Sequence, residues 1–375
     1  MGWDAGVLRF GEREDEMIRK VVAAGVIIMA AVAVWGAAPA AGPGGGGNPL
    51  DGRVFVPEVV AVTVERLDPR VDEIVPVGAK LEKVAWGFKS VEGPVWMGGA
   101  GEGYLVFSDI AANTIYRWTP QGGGGRVTVH RAKSGYDGAD IGQYSQPGSN
   151  GLTVDPQGRL TICEQGNRRV TRLEADGSVT VLADKFQGKR FNSPNDLVYR
   201  SDGVLYFTDP PFGLPRYAND PRRELKETGV YCVAKGEVKL VSTDFTGPNG
   251  LAFSPDEKFL YVANWDTAKK IVMKFGVEAD GTLKKGEVFY DMSSERGNEA
   301  LDGMKVDKQG NVYVSAPGGI RILSPEGKHL GTIKGPELAA NFNWGDADGK
   351  TLYMAAKTGI YRMRLKVEGA RVKGP

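Results

Sequence analysis

Three features of the 375-residue sequence predict an all-β fold, a six-bladed β-propeller of four-stranded blades whose last blade is closed by an N-terminal strand. The first is a pattern that recurs down the chain: a polar residue, a short apolar run, a turn on Asp, Gly or Pro, and a second alternating run. The second is its spacing. The leading polar residues are Glu92, Asn150, Asn195, Asn249, Asp302 and Asn341, and the steps between them are 58, 45, 54, 53 and 39 residues, which bracket the ~40–50 residues of a propeller blade. The third is glycine, 53 residues of it, placed between short hydrophobic runs where tight turns are needed.

Each blade can be assembled in order. EGPVWMGGAGEGYLVFSD, SNGLTVDPQGRLTICE, PNDLVYRSDGVLYFTD, PNGLAFSPDEKFLYVAN, LDGMKVDKQGNVYVSA and ANFNWGDADGKTLYMAA supply the first two strands of the six units. Third strands read NTIYRWT, RRVTRLE, GVYCVA, KIVMKFG, GIRILS and GIYRMRL. Fourth strands read RVTVHRA, SVTVLAD, EVKLVST, GEVFYDM and HLGTIKG. The sixth unit lacks a fourth strand, and KLEKVAW, residues 80–86, lies unassigned ahead of the first blade. Pairing the two closes the ring and removes the exposed edges of an open sheet. The propeller then occupies residues 81–365, after a lead segment at 49–80 and before a tail at 366–375.

Residues 1–48 read as something other than fold. From Met17 two basic residues precede an apolar stretch from Val21 to Val34, and Ala38-Pro39-Ala40 resembles a cleavage site, the layout of a secretory signal peptide. Translation is expected to start at Met17, with the preceding residues an upstream extension and GPGGGGNP a flexible linker. The apolar run is shorter than the ~20 residues that cross a bilayer, so no stable membrane span is expected after cleavage near Ala40. The protein is thus expected in the periplasm or outside the cell.

A net charge of +1 with both signs interspersed offers no basic face for a phosphate backbone, and nucleic acid is excluded as a partner. The two cysteines, Cys163 and Cys232, sit inside strands and read as buried thiols; no CxxC pair supports a thiolate zinc site. His130 and His329 fall in fourth strands, at the outside of the ring, which leaves no imidazole at the axis for a Ser-His-Asp triad. Neither GxGxxG opening a helix nor GxxxxGK[ST] occurs.

The six leading residues start the strands that line the central channel, so they converge near one rim. Two carboxylates, Glu92 and Asp302, and four amides suit a hard divalent cation, Ca²⁺ first and Mg²⁺, Mn²⁺ or Zn²⁺ after it. Asn and Asp also recur simply because they make good turns; Glu92, a poor turn former, argues for the ligand role. Asn341 lacks the Gly or Asp that follows the other anchors and reads as structural. The two longest connections, 133–149 and 210–228, should lie on the anchor side and form a recognition rim, with Tyr136, Asp209, Phe212 and Arg216 as candidates to touch a substrate.

With these residues in place, the sequence resembles the gluconolactonase and regucalcin-like lactonase family, in its longer, exported bacterial form. The likeness rests on 92-EGPVW-96, 149-SNGLTVDPQGRLTICEQGNRRVTRLEADG-177, 192-NSPNDLVYRSDGVLYFTDPPFG-213, 248-PNGLAFSPDEKFLYVAN-264 and 301-LDGMKVDKQGNVYV-314. It implies hydrolysis of a small sugar lactone such as glucono-1,5-lactone at one divalent cation. Glu92, Asn195, Asn249 and Asp302 would be the metal ligands, and Asp302 also the general base. Asn150, Asn195, Gln165 and Asp209 would face the substrate. Many relatives carry His where this chain has Gln165, so a base role does not transfer there. Two other readings use the same scaffold: a phosphotriesterase of the diisopropylfluorophosphatase type, and a non-enzymatic propeller that binds a sugar or a protein.

Overall fold

The computed structural model describes residues 48–98 and 103–370. The expected leader and its cleavage site lie outside the described residues, apart from Asn48, as do residues 371–375.

Six antiparallel sheets stand around an axis, each sheet one blade. Their inner strands are Val91–Met97, Ser149–Val154, Leu197–Tyr199, Pro248–Phe253, Met304–Val306 and Ala339–Gly345. These start blades 1 to 6 in chain order. The alternating pattern works as expected: buried residues such as Leu105, Phe107, Ile162, Phe207, Val262 and Val314 line second strands whose faces pack between neighbouring blades. A sheet buried on both faces stabilises by apolar area removed from water, ~25 cal/mol per Å². Cys163 and Cys232 are buried and free, one in blade 2 and one in blade 3.

Closure follows the expected route. Leu81–Trp86 pairs antiparallel with Gly359–Arg364, matching Leu81 to Met363 and Trp86 to Gly359, and so becomes the fourth strand of blade 6. Leu81, Val84 and Ala85 are buried there. The lead segment contributes more than the sequence pattern disclosed. Val54–Phe55 adds a fifth strand to blade 1 on Gly124–Ala132, Glu58–Val60 a fifth to blade 6 on Leu81–Trp86, and Thr63–Arg66 a fifth to blade 5 on His329–Lys334. Strands of two to four residues fall below the length at which alternation can be recognised. A short helix, Val71–Ile74, then buries Val71 and Ile74 against Leu81, Ile333 and Tyr361 and turns the chain back toward the closing strand. The tail is tied down as far as Ala370, whose N–H donates to Val306 O at 2.9 Å.

Candidate active site at the channel mouth

Glycine explains how the anchors come together. Four of them are followed by Gly, and a Cβ at those glycines would strike the next inner strand. At Gly93 it would lie 2.5 Å from Asn150 O, and at Gly250 2.4 Å from Met304 N. The backbones therefore touch around the axis. Gly151 N donates to Asn195 O at 2.7 Å, Gly250 N to Asp302 O at 3.2 Å and Gly303 N to Ala340 O at 2.8 Å. In blades 1, 2, 4 and 6 the ladder between first and second strand also shifts register at the anchor. Such bulges re-aim a side chain out of the pleat.

The polar cluster that results joins Glu92, Asn249 and Asp302. Glu92, Asn150, Asn195, Asn249 and Asn341 are all buried, whereas Asp302 is only partly so. Asn249 lies close enough to the Asp302 carboxyl to draw it down, and Asn341 does the same for Glu92. Burial, then repulsion from Asp302 and Asp196, holds the Glu92 carboxyl well above its usual range. Asp302 is pushed up to about 7, first by burial and then by Asp196. Asn195 is held by its backbone, its N–H donating to Thr208 O at 2.9 Å while its carbonyl accepts from Gly151.

Asp196, which the sequence pattern suggests is only a turn residue, belongs to this cluster. It occupies the place that Gly takes after four other anchors, and its carboxylate is 3% exposed. Its Oδ2 lies 3.6 Å from Lys305 Nζ and accepts from Asn341 Nδ2 at 3.3 Å. The Oδ1 of Asn341 is already taken by Lys305 Nζ at 3.2 Å and Phe342 N at 2.9 Å. Asn341 therefore braces Asp196 and Lys305. Lys305 carried no signal of its own in the sequence.

Asn150 Nδ2 donates to Gln165 Oε1 at 2.7 Å. Gln165 is fully buried beneath Gly213, where a Cβ would lie 2.1 Å from its Cγ, and its Nε2 has no partner. The pair thus holds a buried donor beside the anchors.

Asp209 requires a correction. The expectation placed it on the substrate rim, but it is wholly buried, and its two oxygens accept the N–H groups of Asn192 and Ser193 at 2.8 Å each. Burial pushes its carboxyl up to about 7 against those two amides and against Arg168 and Arg223. In blade 1 the Asp109 carboxylate makes the matching pair of bonds, accepting Lys89 N and Ser90 N at 2.9 Å. The last residue of the second strand thus clamps the turn that delivers its own blade's anchor. Asp209 positions Asn195 instead of meeting a ligand.

The two long connections meet each other on the anchor side. Arg222 Nη2 donates to Asp140 Oδ2 at 3.1 Å and to Gln143 Oε1 at 2.5 Å, and its guanidinium stands 5.3 Å over the Tyr144 ring. Tyr136 packs at a tilt against Tyr144, ring centroids 4.4 Å apart, and hydrogen-bonds Asp140. Phe212 packs edge-on against Trp265 at 5.4 Å, and Trp265 is 42% exposed. Arg216 is exposed, its backbone N–H donating to Asp220.

Among the described residues no three His, Cys, Asp or Glu side chains could hold a metal by themselves, so an ion here needs amide oxygens too. The donor set meets that requirement. Glu92, Asn195, Asn249 and Asp302 offer oxygen ligands, and carboxyls raised first by burial and then by neighbouring carboxylates are the environment that a hard cation relieves.

Comparison with known proteins agrees with this architecture. The SMP-30/Gluconolactonase/LRE-like region matches residues 91–358. A gluconolactonase of Zymomonas mobilis is 36% identical over 315 residues, which span 82% of this chain and 87% of that protein. The structure of a gluconolactonase from Xanthomonas campestris superposes with a TM-score of 0.69 at 28% identity, covering 84% of this chain and 98% of that one. Regucalcin of Agrobacterium tumefaciens, a calcium-binding protein, shares the fold at a TM-score of 0.58 and 19% identity, over 77% of this chain and 97% of its own. Backbone contacts that gather polar anchors on a propeller axis, matched along most of the ring, place this chain in the SMP-30/gluconolactonase/LRE-like family.

Proposed function

We propose that the protein opens sugar lactones, with glucono-1,5-lactone as the type substrate, by adding water to the lactone carbonyl with the help of one divalent cation. It is a carboxylic-ester hydrolase of the lactonase kind, a reading supported by the 36% identity to a gluconolactonase along most of both chains. The observation that carries the site assignment is the convergence of Glu92, Asn249 and Asp302 at one channel mouth.

Glu92, Asn195, Asn249 and Asp302 would hold the ion, Ca²⁺ before Mg²⁺, Mn²⁺ or Zn²⁺ on the hardness of the donors. When bound, such an ion polarises a carbonyl oxygen and stabilises the charge that develops on it. Asp302, partly open to water and raised toward neutrality, takes the proton of the attacking water at its carboxylate. Asn150 orients the sugar, its amide held in place by Gln165 Oε1. The rim of Tyr136, Tyr144 and Arg222 excludes bulk water on one side. Export to the periplasm or beyond is proposed from the leader read at Met17.

The test is a pH-drop assay over a panel of aldonolactones and one organophosphate, run before and after EDTA with single ions added back. Loss of lactone hydrolysis on chelation and its rescue by one metal is the expected result. Hydrolysis that ignores chelation would sink the cation role. An organophosphate turned over faster than every lactone would favour the phosphotriesterase reading.

A further inference from the structure

Below the anchors the channel continues as a cavity of about 210 Å³ walled by all six blades, largely by apolar residues such as Val95, Leu152, Leu197, Leu251 and Trp344. Among the described residues lining it, Lys305 is the single cation. The other charged group on the wall, Glu257, is committed to Ser201 N and Oγ at 2.9 and 2.6 Å. An ammonium beside an apolar wall is costly unless it is paired. Lys305 Nζ donates to Met304 O at 2.9 Å and to Asn341 Oδ1 at 3.2 Å, and stands 3.6 Å from Asp196 Oδ2; its side chain is 19% exposed. These three partners belong to blades 5, 6 and 3, so the ammonium sits beneath the point where the anchors converge.

We infer that Lys305, paired with Asp196, is a positioning residue that sets the charge of the metal site from below. The inference rests on the cation reading proposed above. Asp196 repels both Glu92 and Asp302, and Lys305 removes one of the three negative charges, which leaves the balance that a divalent ion neutralises. The pair also fixes Asn341, through Asp196 Oδ2 and Lys305 Nζ. Without Lys305 the site carries an extra negative charge and suits a more highly charged ion; without Asp196 it carries one negative charge fewer and holds a divalent ion more weakly.

Two single variants and their combination test this, read by calorimetric titration of purified metal-free protein with Ca²⁺ and, separately, Tb³⁺, so that turnover plays no part. Lys305→Met should bind Ca²⁺ at least about tenfold more tightly and gain still more for Tb³⁺. Asp196→Asn should bind Ca²⁺ at least about tenfold more weakly, and the double variant should return to within about threefold of wild type. Opposite shifts that cancel are the signature of charge balance, which a merely structural pair would not produce. If wild type binds Ca²⁺ but both single variants weaken it, or neither moves it, the inference is wrong while the cation reading stands. A wild type that binds no divalent ion overturns both.

Discussion

One half of the ring wears a belt and the other does not. Blades 5, 6 and 1 each carry a fifth strand from the lead segment, whereas blades 2, 3 and 4 end on bare fourth strands at Val179–Ala183, Glu237–Ser242 and Glu287–Asp291. The belted half contains the seam where blade 6 is completed by Leu81–Trp86, and there the ring is held by hydrogen bonds and packing instead of a chain connection. The belt crosses that seam as it passes from blade 1 through blade 6 to blade 5. Charges reinforce it: Lys334 pairs with Glu65, and Arg362 reaches Glu82 at 2.6 Å. The unbelted half holds both long connections, 133–149 leading into blade 2 and 210–228 within blade 3. Reinforcement is placed where the ring could open, and elaborate loops are placed where chain continuity already secures it.

Four expected outcomes would break or sharpen this contrast. The largest concerns the axis shared by both halves: Asp302→Asn should lower lactone kcat by roughly 10²–10⁴-fold, the range of a lost general base, with a urea midpoint that does not fall. Equal kinetics in that variant would remove Asp302 from the chemistry. Next, Leu81→Ala at the seam should cost about 2–4 kcal/mol, since a side chain 1% exposed leaves a cavity between the lead helix and blade 6. Val181→Ala on the bare edge of blade 2, where the residue is 46% exposed, should stay within about 0.5 kcal/mol. Similar urea midpoints for the two would erase the distinction between seam and open edge.

A smaller effect is expected at the rim. Arg222→Ala severs the tie between the two long connections and should raise KM by severalfold, about 1 kcal/mol, while leaving stability nearly unchanged. If kcat fell and KM did not, the rim would be acting on chemistry and not on capture.

A last outcome is a dependence on pH. Asp209 and Asp302 are each raised to about 7 in the folded protein, against ~3.9 for an unfolded Asp. Between those values the native state holds more protons than the unfolded chain, so stability is greatest below about pH 4 on this account and is lost as pH rises through about 7. Metal-free protein should therefore melt at a lower temperature at pH 8 than at pH 5, and saturating Ca²⁺ should flatten the part due to Asp302. A melting temperature that rises over this interval would contradict the burial assigned to both carboxyls.

Much of the fold was legible because its repeat is physical. A blade needs a turn, an alternating hairpin and a tight connection, and six copies make each element stand out against the others. The closing strand could be found because one blade was a strand short. The belt could not be read, since Val54–Phe55 and Glu58–Val60 are too short to alternate. At the site the anchors Glu92, Asn249 and Asp302 were legible through repetition, and the glycines that follow most anchors have a steric reason in the close approach of the inner strands.

What the sequence by itself determined is the ring, its closure and the set of polar residues at the head of each blade, because these depend on local periodicity. Tertiary structure alone decided what those residues do to each other. Asp209 stands in as good a motif as Asn195, yet only the fold shows its oxygens spent on two backbone amides. Asp196 and Lys305 are 109 positions apart in the numbering and form a pair only when blade 5 comes round to face blade 3. Charge balance at a closed ring is a property of distances across its axis, and no spacing along the chain encodes it.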